Sequence, residues 1–411
     1  MLGWFRRSPR AGSASPLPTR QQRHAEALEV VRSCEQDGRP LVLYLRDFKG
    51  GARTVHSQYY EQQPFTIDNK LLEQVYPELG VVFVQSEAEE RHWEARPDRE
   101  LGPRGPSLML ADSQWQGAVA RLIDIADIIF VDAPVLSPGT RYELETCLSR
   151  GRLHKTVVVL NAPNFMRWKQ REHTADEGDE LIQLFPRVAW SDDLYQQIAD
   201  NPLVRDLFVR ARRIAGLPRE ERLRLREAGS DARAFRVDYD GVADTYIRLS
   251  AVRSASRRPW HEDPWEDNWE RTFWGFHRAV LTLHASLDLG VATARQCAPR
   301  LIECYRAMVN LLGENLINEK GMVMRGHYEL CRRMSEVAVE WAAIDGDPRR
   351  RQVCDDMLRE ATRRADMLRS RKTLSMGGVP MDIPYGPILK TLYFPHLRDY
   401  VRCPREDASR V

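Results

Sequence analysis

The chain has 411 residues, with 61 Lys+Arg against 59 Asp+Glu and a formal net charge of +2. That length exceeds one small core and implies two domains or three. A hydrophobic share of 43% excludes wholesale disorder. The near-balanced charge argues against a nucleic-acid coat protein, because backbone binding needs clustered positive excess.

The seven cysteines are widely spaced and form no CxxC pair. This argues against a disulfide scaffold or a zinc module and fits core thiols of a reducing compartment. The basic N-terminus, rich in Ser, Pro and Arg, lacks the apolar stretch of a secretory signal. No run of about 18 apolar residues occurs, the length needed to span a membrane. The expectation is a soluble cytoplasmic protein, not a membrane one, with a flexible tail over residues 1–25.

In chain order, a helix is expected around His24 to Gln36, ending at Asp37-Gly38-Arg39-Pro40. Leu41 to Leu45 is a continuous apolar run, as in a parallel strand buried on both faces. Asp68 suits the cap of a helix through Tyr76, and Val81 to Val84 reads as a second buried strand. Asp112 or Ser113 suits the cap of a helix striped by Trp115, Val119, Leu122, Ile123 and Ala126. Ile128 to Val131 is a third strand, and Ser137-Pro138 is an N-cap followed by proline at the first helical position. That helix runs to about Arg150, where Gly151 stops it, and Thr156 to Leu160 is a fourth strand. Strands alternating with helices predict an open parallel sheet covered on both faces, a flavodoxin-like α/β architecture.

Beyond residue 162 the pattern weakens. Val204, Leu207, Phe208 and Ala211 suit a helix, Leu217 to Gly229 a solvated helix or linker. Phe235-Arg236-Val237 and Tyr246-Ile247 look strand-like. From about residue 259 an aromatic, proline-broken linker leads into four amphipathic helices. They start near Asp267, after Gly290, before Tyr328 and at Asp347-Pro348, and predict an antiparallel all-α array. The glycines and prolines of the last 35 residues predict an extended segment. The expected division is an α/β domain with extension over 26–255 (core 38–165), a helical domain over 256–375 and an extended segment over 376–411.

The segment Ile128 to Leu144 leaves a strand end, turns through small residues and enters a helix. In open parallel sheets ligands bind at that edge. Gly139 and Thr140 fall in the first helical turn, where backbone N–H groups hold anions. Glu143 lies about one and a half turns in, near the positive end of the helix dipole, which favours an ionised carboxylate. Such a group, facing the cleft, can attack or stabilise an anomeric carbon as a glycosidic bond breaks.

The run Ser137-Pro138-Gly139-Thr140-Arg141-Tyr142-Glu143-Leu144 resembles the motif of nucleoside 2-deoxyribosyltransferases, whose Gly-x-x-x-Glu turn carries a nucleophilic Glu. It is also similar to Toll/interleukin-1 receptor domains, in which Leu-Ser precedes a Glu-Leu helix and the Glu of enzymatic members cleaves NAD. Leu43-Tyr44-Leu45-Arg46-Asp47-Phe48, Trp115 and Glu143-Leu144 resemble uncharacterised bacterial proteins with a Leu-Tyr-Leu-Arg-Ser-Phe first strand. The resemblance spans residues 38 to 165. Ser137 stands where the deoxyribosyltransferases place an Asp, with Asp132 nearby but out of register, and Ser-x-Trp-Cys is absent.

The resemblance implies a nucleotide-directed N-glycosidase, NAD as substrate rather than cofactor, and a bacterial defence or signalling setting. It implies Glu143 as catalytic carboxylate. Arg46 would meet phosphate, Asp47 a ribose hydroxyl, and Asp132, Ser137, Gly139 and Thr140 would complete the ligand site. The alternative is a nucleotide-sensing, self-assembling module without catalysis, and homo-oligomers fit both.

Plain readings stand beside these. Glu143 reads equally as a solvated helix residue, Arg46-Asp47 as a local ion pair, and Ser137 as a helix cap. His327 and Cys331 share a helical face but lack two further ligands, so no metal is expected. His277 and His284 suit the border of a bundle core, and Cys147 a buried position against the sheet. His261-Glu262-Asp263 matches no metal motif. Trp260, Trp265, Trp269 and Trp274 read as junction packing rather than base stacking. Arg349-Arg350-Arg351 with Arg359, Arg363 and Arg364 reads as a solvated face.

Overall fold

A computed structural model describes residues 19–46, 67–86, 105–111, 113–133, 136–160, 180–190, 194, 198–229, 238–255, 268–314, 325–370, 374–376 and 379–381. Helix α1 (Arg20–Asp37) opens it. Thr19 caps the helix in a reciprocal capping box with Gln22, and Gly38 ends it in the left-handed conformation at φ 66°.

Six strands follow, β1 (Leu41–Arg46), β2 (Gly80–Ser86), β3 (Ser107–Leu110), β4 (Ile128–Asp132), β5 (Thr156–Leu160) and β6 (Arg187–Trp190). They form one all-parallel sheet in the order β3-β2-β1-β4-β5-β6. Between the strands lie α2 (Ile67–Val75), α3 (Trp115–Ile125), α4 (Pro138–Ser149) and the single turn α5 (Glu180–Gln183). The order reverses between β1 and β4. Setting the edge strand β3 aside leaves the flavodoxin-like order, and the expected open parallel α/β sheet is present.

The apolar strands bury both faces, so alternate residues enter two different cores. Val42, Tyr44, Phe130, Val157 and Val159 face one side. Leu43, Val82, Ile129, Val131 and Val158 face the other, under α1, α3 and α4.

After the sheet come α6 (Arg205–Ala215), α7 (Arg219–Gly229), α8 (Tyr239–Ala255), α9 (Asn268–Asp288), α10 (Ala294–Glu314), α11 (Arg325–Asp345) and α12 (Pro348–Ser370), then a hairpin of β7 (Leu374–Met376) and β8 (Val379–Met381). The first sheet core runs on without a break through α6 and α8 into α9, α10, α11 and α12. From Thr272 to Ser286 every residue of α9 except Trp274 is buried, so α9 is the central helix of that array. Its neighbours on either side are α8 and α10.

Several expectations need correction. Tyr246 and Ile247 lie in a helix: Tyr239, Val242, Ala243, Tyr246, Ile247 and Ser250 form one buried stripe of α8 at steps of three and four. Ser113 does not cap α3; Gln114 holds the cap position without a side-chain bond, and Asp112 lies outside the described residues. Strands β3 and β6 were not anticipated. Of the two readings of Leu217 to Gly229, the helix is realised, as α7. The tail up to residue 18, Phe235 to Val237 and everything beyond residue 381 lie outside the described residues.

Candidate functional site

The C-terminal ends of β1 and β4 meet where the strand order reverses, with Arg46 opposite Asp132 in register. Asp132 is 4% exposed, and its Oδ2 accepts a hydrogen bond from the Tyr44 hydroxyl at 2.9 Å. Tyr44 is itself buried, its ring edge-on to Phe83. Nothing in the sequence reading singled it out. The signal was one aromatic hydroxyl inside an otherwise aliphatic run, two residues before the strand end.

Helix α4 starts beside this rim. Ser137 is its N-cap, accepting from Thr140 N at 3.2 Å and lying 3.1 Å from Thr140 Oγ1, with Pro138 at the helix start. The cap reading of Ser137 is therefore realised. Gly139 sits half-buried in the first turn and Thr140 is buried. Tyr142 turns toward α3, where its ring meets Trp115 edge-on at 5.1 Å and its hydroxyl donates to Gln116 O.

Glu143 is 1% exposed. It shares the sheet-facing stripe of α4 with Thr140, Leu144 and Cys147, so the solvated reading is excluded. Burial, with the Glu143 charge adding to it, pushes the Cys147 thiol up to about 12, against a hydrogen bond with Thr156. Such a thiol is a core group rather than a nucleophile.

The two acids approach the sheet from opposite sides. Asp132 follows Phe130 by two residues and bonds Tyr44, which places it with the first core. Glu143 rides on α4, whose Leu144 and Cys147 pack with Ile129 and Val131 in the second. The structure thus brings Asp132 to Tyr44 and Arg46 at the rim, and sets Glu143 on the other flank of β4, a turn below the helix start. Asp47 lies outside the described residues.

His277 and His284 are buried in α9, edge-on to Trp274 at 5.1 Å and Trp341 at 5.7 Å. Trp274 packs against both cores, as junction packing requires. Trp260, Trp265 and His261 to Asp263 lie outside the described residues, as do the side chains of Trp269 and His327. Arg350, Arg359, Arg363 and Arg364 of α12 are paired with Asp345, Asp347, Asp356 and Glu360. Among the described residues no group of three or more His, Cys, Asp or Glu is placed to hold a metal, and no helix is long and apolar enough to cross a membrane. No protein-family model matches the chain, and no curated protein or solved structure matches it either.

Proposed function

We propose that the protein binds a nucleotide at the C-terminal rim of its sheet and cleaves its N-glycosidic bond, with NAD the favoured substrate class. The observation that carries this reading is the reversal of strand order between β1 and β4, from which α4 departs with a buried Glu143. In parallel sheets that reversal opens the crevice in which nucleotides lie. Arg46 and Asp47 would take phosphate and ribose, Asp132 would be held in place by Tyr44, and the first turn of α4 would offer Gly139 and Thr140. In the reaction the bond from the anomeric carbon to the base nitrogen breaks and the base leaves with the electron pair. Glu143 stabilises the ribosyl cation, and water adds to it with loss of a proton. A defence or signalling role, acting as a homo-oligomer, accompanies this reading.

A specific observation also favours the sensor reading. Glu143 is almost fully enclosed, and the apolar core under the sheet continues into the helical array, a path along which occupancy of the rim reaches α9.

Incubation of the purified full chain with NAD and a nucleoside panel, with products separated by chromatography, decides between them. Glu143→Gln is expected to lower turnover about 10²-fold or more while calorimetric binding persists. Equal turnover by both proteins removes Glu143 from the chemistry. Binding without product selects the sensor, and no binding by any nucleotide overturns both readings.

A further inference from the structure

The central helix α9 carries a cation into the interior. Arg278 is 1% exposed, and its side chain ends in a cationic guanidinium. Its Nη2 donates to Phe185 O at 2.7 Å, in the turn that enters β6. Its Nε and Nη1 have no hydrogen-bond partner. Among the described residues no Asp or Glu forms an ion pair with it; Asp240 and Asp244 of α8 are both engaged by Arg300, at 2.9 Å each. A buried charge without a counter-charge is strongly destabilising, and interiors that keep one supply an anion to it.

A second orphaned group lies one turn away. Gly275 lets α8 approach so closely that a Cβ there would sit 2.1 Å from Ser250 Oγ. Ser250 is fully buried and its hydroxyl also has no partner. The contact between α8 and α9 therefore holds a hydroxyl without a partner and a cation whose Nε and Nη1 are unsatisfied, both desolvated.

We propose that Arg278 binds a small inorganic anion, of chloride to phosphate size, within the α8–α9 contact, with the Ser250 hydroxyl as a further donor. The end of the guanidinium offers Nη1 together with the second hydrogen of Nη2, the arrangement that suits an oxyanion. Phe185 precedes the first residue of β6 by two positions, so this site lies at the N-terminal edge of the sheet. It is separate from the rim and independent of any nucleotide there. The bound anion neutralises Arg278 and so secures the bond by which α9 grips the sheet.

Thermal unfolding of the full chain reads the site, in sodium gluconate replaced stepwise by chloride in one arm and phosphate in the other, at constant pH and ionic strength. The wild-type midpoint is expected to rise along a saturating curve in at least one arm, as binding to the native state alone requires. The arm that saturates at the lower concentration identifies the anion. Arg278→Met, an apolar side chain of similar length, loses the saturable rise and keeps only the linear salt effect. Ser250→Ala and Arg278→Lys, which guard against a Met variant that does not fold, move half-saturation to a severalfold higher concentration. A wild-type midpoint that moves only linearly in both arms overturns the proposal. So does a saturating curve left unchanged in the Arg278 and Ser250 variants.

Discussion

The Tyr246 hydroxyl closes the free edge of β6 by accepting from Val188 N at 2.8 Å and donating to Val188 O at 2.7 Å. An edge strand exposes unpaired backbone groups that invite another chain. Here a helix side chain takes the place of a seventh strand at the second residue of β6. At the opposite edge His24 of α1 does the same for β3, accepting from Met109 N at 3.1 Å. Tyr246→Phe keeps the packing and removes only the hydroxyl, leaving the buried Val188 amide without a partner. The expected loss is about 1–3 kcal/mol of unfolding free energy, with an unchanged denaturant slope. Urea titration followed by circular dichroism measures it; a loss below ~0.5 kcal/mol would show that water already reaches this edge.

The same tyrosine shows where sequence patterns carry and where they do not. Strands β1, β2, β4 and β5 are unbroken aliphatic runs buried on both faces, and such runs are legible without neighbours. Strands β3 and β6 are four residues each, begin with Ser107 and Arg187, and lie at the edges, where a short mixed segment resembles a loop. Tyr246-Ile247 looked like strand because aromatic and β-branched neighbours favour strands. The helical spacing from Tyr239 to Ser250 was present in the chain, and the adjacent pair outweighed it. At the site, Ser137-Pro138 announced its cap. The face of α4 that carries Glu143 was not legible, because a dipole argument places a charge along a helix and not around it.

Tyr44→Phe tests whether the rim acid depends on its neighbour strand. It removes the hydroxyl that donates to Asp132 Oδ2 across β1 and β4. A buried carboxylate that loses such a bond costs about 1–3 kcal/mol, which denaturant unfolding resolves. If Asp132 also contacts a ligand, nucleotide affinity measured by calorimetry falls in the same variant. Unchanged stability and unchanged affinity would show the bond to be incidental.

The C-terminus of α1 depends on a glycine for two separate reasons. Gly38 is left-handed at φ 66°, and a Cβ there would meet Arg222 Cβ at 2.9 Å. That closeness follows from how the charged helix α7 docks. Arg219 donates to Gln36 O, Arg222 to Asp37 O and Arg226 to Cys34 O, so three arginines satisfy the last carbonyls of α1. Gly346 is also left-handed, at φ 79°, but nothing lies within 4 Å of its added Cβ. Gly346→Ala is expected to cost only the backbone term, about 1–2 kcal/mol. Gly38→Ala should cost about 1–3 kcal/mol more, because the new methyl crowds a packed helix. Equal losses in the two variants would mean that α7 yields without cost.

The buried thiols give the fold an alkaline limit. Burial raises the Cys34, Cys147 and Cys331 thiols from an ordinary value near 9 to about 12, and also raises Cys304 well above its ordinary value. Above pH 9 the unfolded chain releases these protons while the folded chain keeps them, so the unfolded state binds fewer. Stability is then fully present below about pH 9 and falls as pH climbs toward 12. The same burial keeps thiolate-selective reagents out. Labelling with a chromogenic disulfide at pH 8 is expected to leave the six buried cysteines, 34, 147, 297, 304, 331 and 354, unreacted until denaturant is added. Substituting Cys147 by Ala then flattens the alkaline fall relative to wild type, since its proton no longer distinguishes the two states. Prompt labelling of more than one thiol in the folded chain, or an alkaline fall indifferent to Cys147, would show these groups to be open to water.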